Sequence, residues 1–249
     1  MDTSKESGFA RPDYPIPAAI QRLSAGEPVA AVWINGEGGV ACRIGTGPDR
    51  FAKWAPAGVD LDLAAEAERL RWAHRYARVP KVLDFGEDAT GSWLVTAALP
   101  GDTAISDRWK ADPATAVRIV GAALRELHES LPVDECPFDW SIQARLDHVG
   151  RVGDVAEQAL ASAPPIDRLV VCHGDACTPN TLIDEDGTYA GHVDLGSLGV
   201  ADRWADLAVG SWATEWNYGP GWEEAYIEAY GVDVDHERIR YYRDLWDLT

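Results

Sequence analysis

The sequence predicts an α+β protein: an antiparallel sheet with one helix comes first, and a mainly helical part follows. Three observations predict it. Short β-type runs at 29–34, 40–44 and 51–54 are separated by glycine-containing turns. Residues 112–131 carry Val117, Val120, Leu124, Leu127 and Leu131 at helical spacing. A polar loop rich in Asp, Asn and Gly lies between β-type segments at 169–196. At 249 residues the chain can hold one large domain or two lobes, with ample core.

In chain order, residues 1–14 are expected to be frayed or loosely docked. A short helical pattern at 16–23 ends at Gly26, and the runs 29–34, 40–44 and 51–54 then form an antiparallel meander. Its first turn is Asn35-Gly36-Glu37-Gly38-Gly39, and its second spans 45–49. Gly36, Gly38 and Gly39 allow close backbone approach to a phosphate, although hairpin turns also favour glycine on steric grounds alone. The next helix covers 61–76, with Leu63, Ala67, Leu70 and Ala73 or His74 on one face. Strands are expected at 79–83 and 93–96. Asp112-Pro113 then opens a helix to 131, an N-cap acceptor followed by proline at the first helical position. His128 lies by its apolar stripe, as a packed or capping histidine would. A helix over 142–161 comes next. After the polar loop, helices are expected at 201–216, with Asp202 and Asp206 in its first turns, and at 222–230 and 236–246. Tryptophans and tyrosines near the end favour a docked terminus over a fraying acidic tail.

The loop carries the chemistry. An apolar run, 169–172, enters His173-Gly174-Asp175; Asn180 stands five residues later and Asp194 fourteen beyond that. Asp186-Gly187 marks a turn between two β-type stretches, and a hairpin there returns the chain so that Asp175, Asn180 and Asp194 can converge. Two carboxylates and an amide oxygen suit Mg²⁺, with a spare carboxylate to accept a proton from a hydroxyl. Asp and Asn commonly populate turns, so any one of them is uninformative; the spaced set is not.

His173-Gly174-Asp175, Asn180 and Asp194-Leu195-Gly196 resemble the catalytic core of the protein-kinase-like fold in its antibiotic-kinase branch, the aminoglycoside O-phosphotransferases. Residues 198–203, with Asp206, resemble the 3′- and 3″-type enzymes. The resemblance implies a bilobal protein-kinase-like fold, with a nucleotide-binding lobe over 1–99 and a catalytic and substrate-binding lobe over 100–249. It implies that Lys53 holds the α- and β-phosphates, that Glu66 pairs with it (Glu68 being the rival), and that the backbone near Thr96 and Ala98 meets adenine. It further implies that Asp175 is the catalytic base, that Asn180 and Asp194 hold Mg²⁺, and that Asp206 ties its helix to the catalytic loop. Cys136-Pro137-Phe138 also recurs in the family. Drug amines would meet Asp175, Glu215, Asp244, Asp247 and the terminal carboxylate of Thr249. Two departures leave the substrate and its reacting hydroxyl open: the 142–161 segment is shorter than the family's insertion, and Ser197 stands where an arginine is common.

The expected function is therefore transfer of the γ-phosphate of ATP or GTP, with Mg²⁺, to a hydroxyl of an aminoglycoside, conferring resistance. The alternatives are a kinase of another hydroxylated small molecule (a peptide antibiotic, macrolide or metabolite) and a nucleotide-binding module without transfer activity. A protein kinase is disfavoured by Gly174 in place of arginine and by the missing Asp-Phe-Gly to Ala-Pro-Glu segment.

Composition narrows the partners. The net charge of −19 argues against nucleic acid and would draw a cationic small molecule inward, though acidity also serves solubility. No apolar run approaches the roughly 20 residues that span a bilayer, and no signal pattern opens the chain, so a cytoplasmic protein is expected, as a monomer or weak dimer. Cys42, Cys136, Cys172 and Cys177 lack zinc-type pairing and read as reduced thiols.

Overall fold

The computed structural model describes residues 8–46, 50–150 and 153–249. Parts of three expected segments, the N-terminal 1–14, the turn at 45–49 and the helix at 142–161, lie outside the described residues. The chain divides into two compact units, one of residues up to His74 with Val79–Pro100, the other of Arg75–Arg78 with Gly101–Thr249.

The first unit contains β1 (Gly8–Phe9), α1 (Ala18–Leu23), β2 (Val29–Ile34), β3 (Val40–Ile44), β4 (Arg50–Pro56), α2 (Leu63–Ala73), β5 (Val82–Asp88) and β6 (Gly91–Ala97). Its strands form one antiparallel sheet in the order β1-β2-β3-β4-β6-β5. Ile20 of α1 packs with Val40, Cys42, Ile44, Ala52 and Val95 on one face. Because side chains alternate along a strand, burying Ala52 in that core turns Lys53 to the opposite face. Helix α2 starts on an Asp62 cap, whose carboxylate accepts from the Ala65 N–H at 2.9 Å, and buries Leu63, Ala67, Leu70 and Ala73 as the apolar spacing predicts. The helix is shorter than the expected 61–76.

The second unit contains β7 (Asp102–Thr103), α3 (Asp107–Lys110), α4 (Pro113–Ser130), α5 (Ile142–His148), α6 (Asp154–Ala161), β8 (Leu169–Cys172), β9 (Thr181–Ile183), β10 (Tyr189–His192), β11 (Gly199–Asp202), α7 (Trp204–Tyr218), α8 (Glu223–Tyr230) and α9 (His236–Leu248). Asp112 caps α4 through the Thr115 N–H at 3.2 Å, with proline at the first position, as expected. Two expectations need correcting. The helix expected at 142–161 is two helices, because Gly150 and Gly153 take positive φ between them. The helix expected from 201 begins at Trp204; residues 199–202, with Asp202, form a strand antiparallel to β8. Among the described residues, no helix is long and apolar enough to cross a membrane.

Helices α4 and α8 approach closely at Gly121, where an added Cβ would stand 2.5 Å from the Tyr226 carbonyl oxygen and 2.9 Å from the Ala229 Cβ. Alanine is worth about 1 kcal/mol more than glycine in a helix, but overpacking a tight contact costs about 1–3 kcal/mol. Gly121→Ala should therefore lower stability in denaturant titration, despite the better helix former, while a rise in stability would contradict this packing.

Candidate active site

In the first unit, Lys53 on β4 reaches across to α2. Its Nζ lies 2.7 Å from Glu66 Oε1 and 3.0 Å from Oε2. Glu66 is buried, whereas Glu68 is exposed, so the lysine's partner is Glu66 and the rival drops out. The glycine-rich turn is closed by its own first residue. Asn35 Oδ1 accepts from the Gly39 N–H at 2.7 Å and the Glu37 N–H at 3.2 Å. Gly38 is favoured there by its positive φ. Thr96 pairs with Phe51 and Val82 near the end of β6, and Ala98 follows the strand.

In the second unit, β8 delivers the chain into His173-Gly174-Asp175, and β9 and β10 return it to Asp194. The loop is clasped from below by Asp206 in the first turn of α7. Its carboxylate accepts from the His173 N–H (2.6 Å), the Gly174 N–H (2.9 Å) and His128 Nε2 (2.9 Å). His128 Nδ1 in turn meets the Tyr230 hydroxyl at 2.9 Å. Burial alone would push the Asp206 pKa up, but the His128 hydrogen bond, the charges of His128 and His173 and the Gly174 N–H more than offset it, and the net shift is down. Gly174 takes φ +85°, and a Cβ there would stand 2.1 Å from the Ser197 carbonyl oxygen. That close approach explains glycine where protein kinases carry arginine.

His173 joins the two ends of the loop, a role its place in the motif did not announce. Its Nδ1 accepts from the Asp175 N–H at 3.3 Å, and its Nε2 donates to the Val193 carbonyl at 3.0 Å. The Val193 N–H donates to the Asn180 carbonyl at 3.0 Å, which holds Asp194 next to Asn180. Asn180 Nδ2 donates to both Asp175 Oδ2 and the Asp175 carbonyl, at 3.0 Å each. With the amide nitrogen engaged, Oδ1 is the atom Asn180 can offer a hard cation. The three residues expected to converge do so. Asp194 has φ +66°, a backbone strain that Asp tolerates better than most residues and that clusters at functional sites.

Burial raises the Asp175 pKa above the ordinary carboxylate range, and the nearby Asp194 charge raises it further. Asp175 Oδ1 is buried with no hydrogen-bond partner among the described residues. A pair of neighbouring carboxylates with an orphaned buried oxygen and an amide oxygen fits a divalent cation with oxygen preference. Cys177, beside Asp175, is raised well above the usual thiol range, by burial first and then by Asp175, so it stays a neutral thiol.

The expected substrate residues are more dispersed. Glu215 is half-buried on α7, and Asp244 and Asp247 are exposed on the last turns of α9. Thr249 is half-buried, its hydroxyl bonded to the Leu245 carbonyl at 2.9 Å. None of these four makes a hydrogen bond or ion pair with Asp175 among the described residues.

An α+β frame carrying this Asp–Asn–Asp loop defines a phosphotransferase of the protein-kinase-like class. Residues 20–242 match the phosphotransferase enzyme family, and the chain belongs to that family. Among its relatives, an aminoglycoside 3′-phosphotransferase of Streptomyces fradiae is 38% identical over 229 residues, covering 79% of this chain and 84% of that protein. A streptomycin 3″-kinase of Streptomyces griseus is 36% identical and covers 95% and 98% respectively. The solved aminoglycoside phosphotransferase APH(3″)-Id of Streptomyces rimosus superposes with a TM-score of 0.73 at 30% identity, covering 93% of this chain and 96% of that one. A second structure of that enzyme, in complex with ADP and streptomycin, gives a TM-score of 0.67 at 31% identity and covers 84% and 90%.

Replacing Asp206 by asparagine should break the clasp, because a neutral amide cannot accept equally from three donors. Removing one partner of a buried charged network costs about 3–5 kcal/mol, measurable by denaturant titration. The folded-state pKa of Asp206 is depressed, so its contribution is present above the unfolded value near 4 and is lost as pH falls through the folded value. The stability gap between wild type and Asp206→Asn should therefore be largest near neutrality and shrink in acid; a gap independent of pH would contradict the assignment.

Proposed function

We propose that this protein transfers the γ-phosphate of a nucleoside triphosphate, ATP or GTP, to a hydroxyl of an aminoglycoside antibiotic, and so confers resistance. The observation that carries the reading is Asp175, held between Asn180 and the His173 ring, with Asp194 close enough to raise its pKa. The relatives named above support the substrate class.

In this reading Asp175 orients the acceptor hydroxyl and takes its proton as the oxygen attacks phosphorus. A raised pKa makes the carboxylate a stronger base than an exposed aspartate. Asn180 Oδ1 and the Asp194 carboxylate would hold Mg²⁺, which supplies positive charge against the phosphate oxygens. Lys53, fixed by both Glu66 oxygens, binds the α- and β-phosphates, and the turn at Gly36, Gly38 and Gly39 lies over them. The backbone near Thr96 and Ala98 meets the base. Catalysis here is positioning and charge neutralisation more than covalent chemistry. Residues 1–99 act as the nucleotide-binding part and 100–249 as the catalytic and substrate-binding part. A net charge of −19 favours a polycationic acceptor, with Glu215, Asp244, Asp247 and Thr249 as its anionic and polar contacts.

Incubation with Mg²⁺-ATP and a panel of aminoglycosides including streptomycin should add one phosphate to at least one drug, read by mass. Asp175→Asn should lower kcat by about 10²–10⁴-fold, the usual share of a general base, while nucleotide affinity stays near wild type. Because the Asp175 pKa is raised, kcat/KM should climb with pH through a group titrating above the ordinary carboxylate range, and that limb should vanish in the variant. Full turnover in Asp175→Asn, or an unphosphorylated panel, would refute the reading.

A further inference from the structure

Arg145 on α5 is 2% exposed, a buried arginine with no carboxylate partner among the described residues. Its guanidinium lies between two indoles, 5.2 Å from the Trp140 ring centre and 5.9 Å from that of Trp246. Nη2 donates to the Thr249 hydroxyl at 2.8 Å, while Nε and Nη1 are buried without a hydrogen-bond partner. A buried cation left partly unsatisfied is costly to keep, and burial disfavours its charge. Arginine nevertheless stays protonated and stacks well on aromatic faces.

The opposing group is the C-terminal end of α9. A helix C-terminus carries partial negative charge, which cations offset and carboxylates aggravate. The last turn of α9 has no basic residue, and Asp244 and Asp247 sit at that end, exposed. Helix electrostatics alone would place acids elsewhere. Arg145 supplies the missing cation from a different helix, through Trp246 and Thr249.

Arg145 is itself tied to the catalytic loop by a short series of rigid links. Phe138 accepts from the Val200 N–H at 2.9 Å, and the Trp140 N–H donates to the Val200 carbonyl at 3.1 Å, so 138–140 runs along β11. Gly199 makes that approach possible, since a Cβ there would stand 2.8 Å from the Asp139 carbonyl carbon. Strand β11 pairs with β8, which enters His173-Gly174-Asp175. Ser141 then caps α5 through the Ala144 N–H. Two further bonds hold α9 to the region that follows α5, Tyr241 Oη to the Ala159 carbonyl of α6 at 2.8 Å and Arg238 Nη1 to the Pro165 carbonyl after α6 at 2.6 Å.

We infer that Arg145 is a positioning residue: through Trp246 and Thr249 it fixes the acidic last turn of α9 relative to Asp175, and so sets affinity for the cationic acceptor. The inference rests on the phosphotransferase reading above. It gives the short 142–161 segment a role as a brace for α9.

The test compares wild type with Arg145→Lys, which keeps charge and length but loses the planar fork and much of the stacking. Two readouts are taken. In hydrogen exchange, Arg145→Lys should speed exchange at 244–249 and leave 170–183 unchanged. In kinetics with a phosphorylated aminoglycoside, the drug KM should rise about tenfold, the scale of one charge-assisted contact, with kcat and the ATP KM within about twofold of wild type. Asp247→Asn should raise the drug KM in wild type yet add little in the Arg145→Lys background, since both act on one turn. Should Arg145→Lys be insoluble, Trp246→Leu removes one of the two aromatic faces on the guanidinium and should give the same pattern at smaller size. Unchanged exchange at 244–249 overturns the brace. Faster exchange with an unchanged drug KM, or with equal rises in both KM values, overturns its role in affinity. If wild type phosphorylates no drug, the functional reading fails, and the exchange result alone then decides whether the brace exists.

Discussion

One buried carboxylate holds the catalytic loop in shape. Asp206 accepts from two successive backbone amides, His173 and Gly174, and from His128. Burying an isolated carboxylate costs several kcal/mol, and this one is tolerable because every interaction it makes favours its charge. Its place in the first turn of α7 adds the favourable end of a helix dipole. The clasp joins α4 (His128), α8 (Tyr230), α7 and the loop after β8 in one network. The position of Asp175 follows from it, because the amides that precede Asp175 are the ones held.

The electrostatics above the clasp run the other way. Below, a carboxylate is surrounded by donors and its pKa falls; above, Asp175 is buried with a second carboxylate nearby and its pKa rises. Two linked environments thus shift two buried carboxylates in opposite directions. The strained backbone at Asp194 and the orphaned Asp175 oxygen are both unfavourable in isolation, a kind of cost that clusters at functional sites.

What the sequence reveals depends on how local the cause is. The convergence of Asp175, Asn180 and Asp194 is legible because a short hairpin with an Asp-Gly turn enforces it. Helices α4, α8 and α9 are legible because their apolar faces repeat at helical spacing and Asp112-Pro113 is a strong start. The strand at 199–202 is not, since its four residues read on smoothly into α7 and only pairing with β8 makes it a strand. Strand β5 runs Val82–Asp88 instead of the expected 79–83: Asp84, Glu87 and Asp88 are poor strand formers, and the edge position lets them face water. Glu66, favoured over Glu68 by the resemblance alone, is set apart physically by its burial and its bond to Lys53. Asn35, His173 and Arg145 act through partners distant in sequence or through backbone atoms, which leave no pattern to read.

The most direct test of the central claim, that Asp175, Asn180 and Asp194 form one cation-dependent phosphoryl-transfer centre, is Mn²⁺ binding by electron paramagnetic resonance with ADP present. Wild type should bind Mn²⁺-ADP, and Asp194→Asn should lose affinity by about tenfold or more, as expected when a charged ligand is removed. Equal Mn²⁺ affinity in wild type and Asp194→Asn would contradict the account.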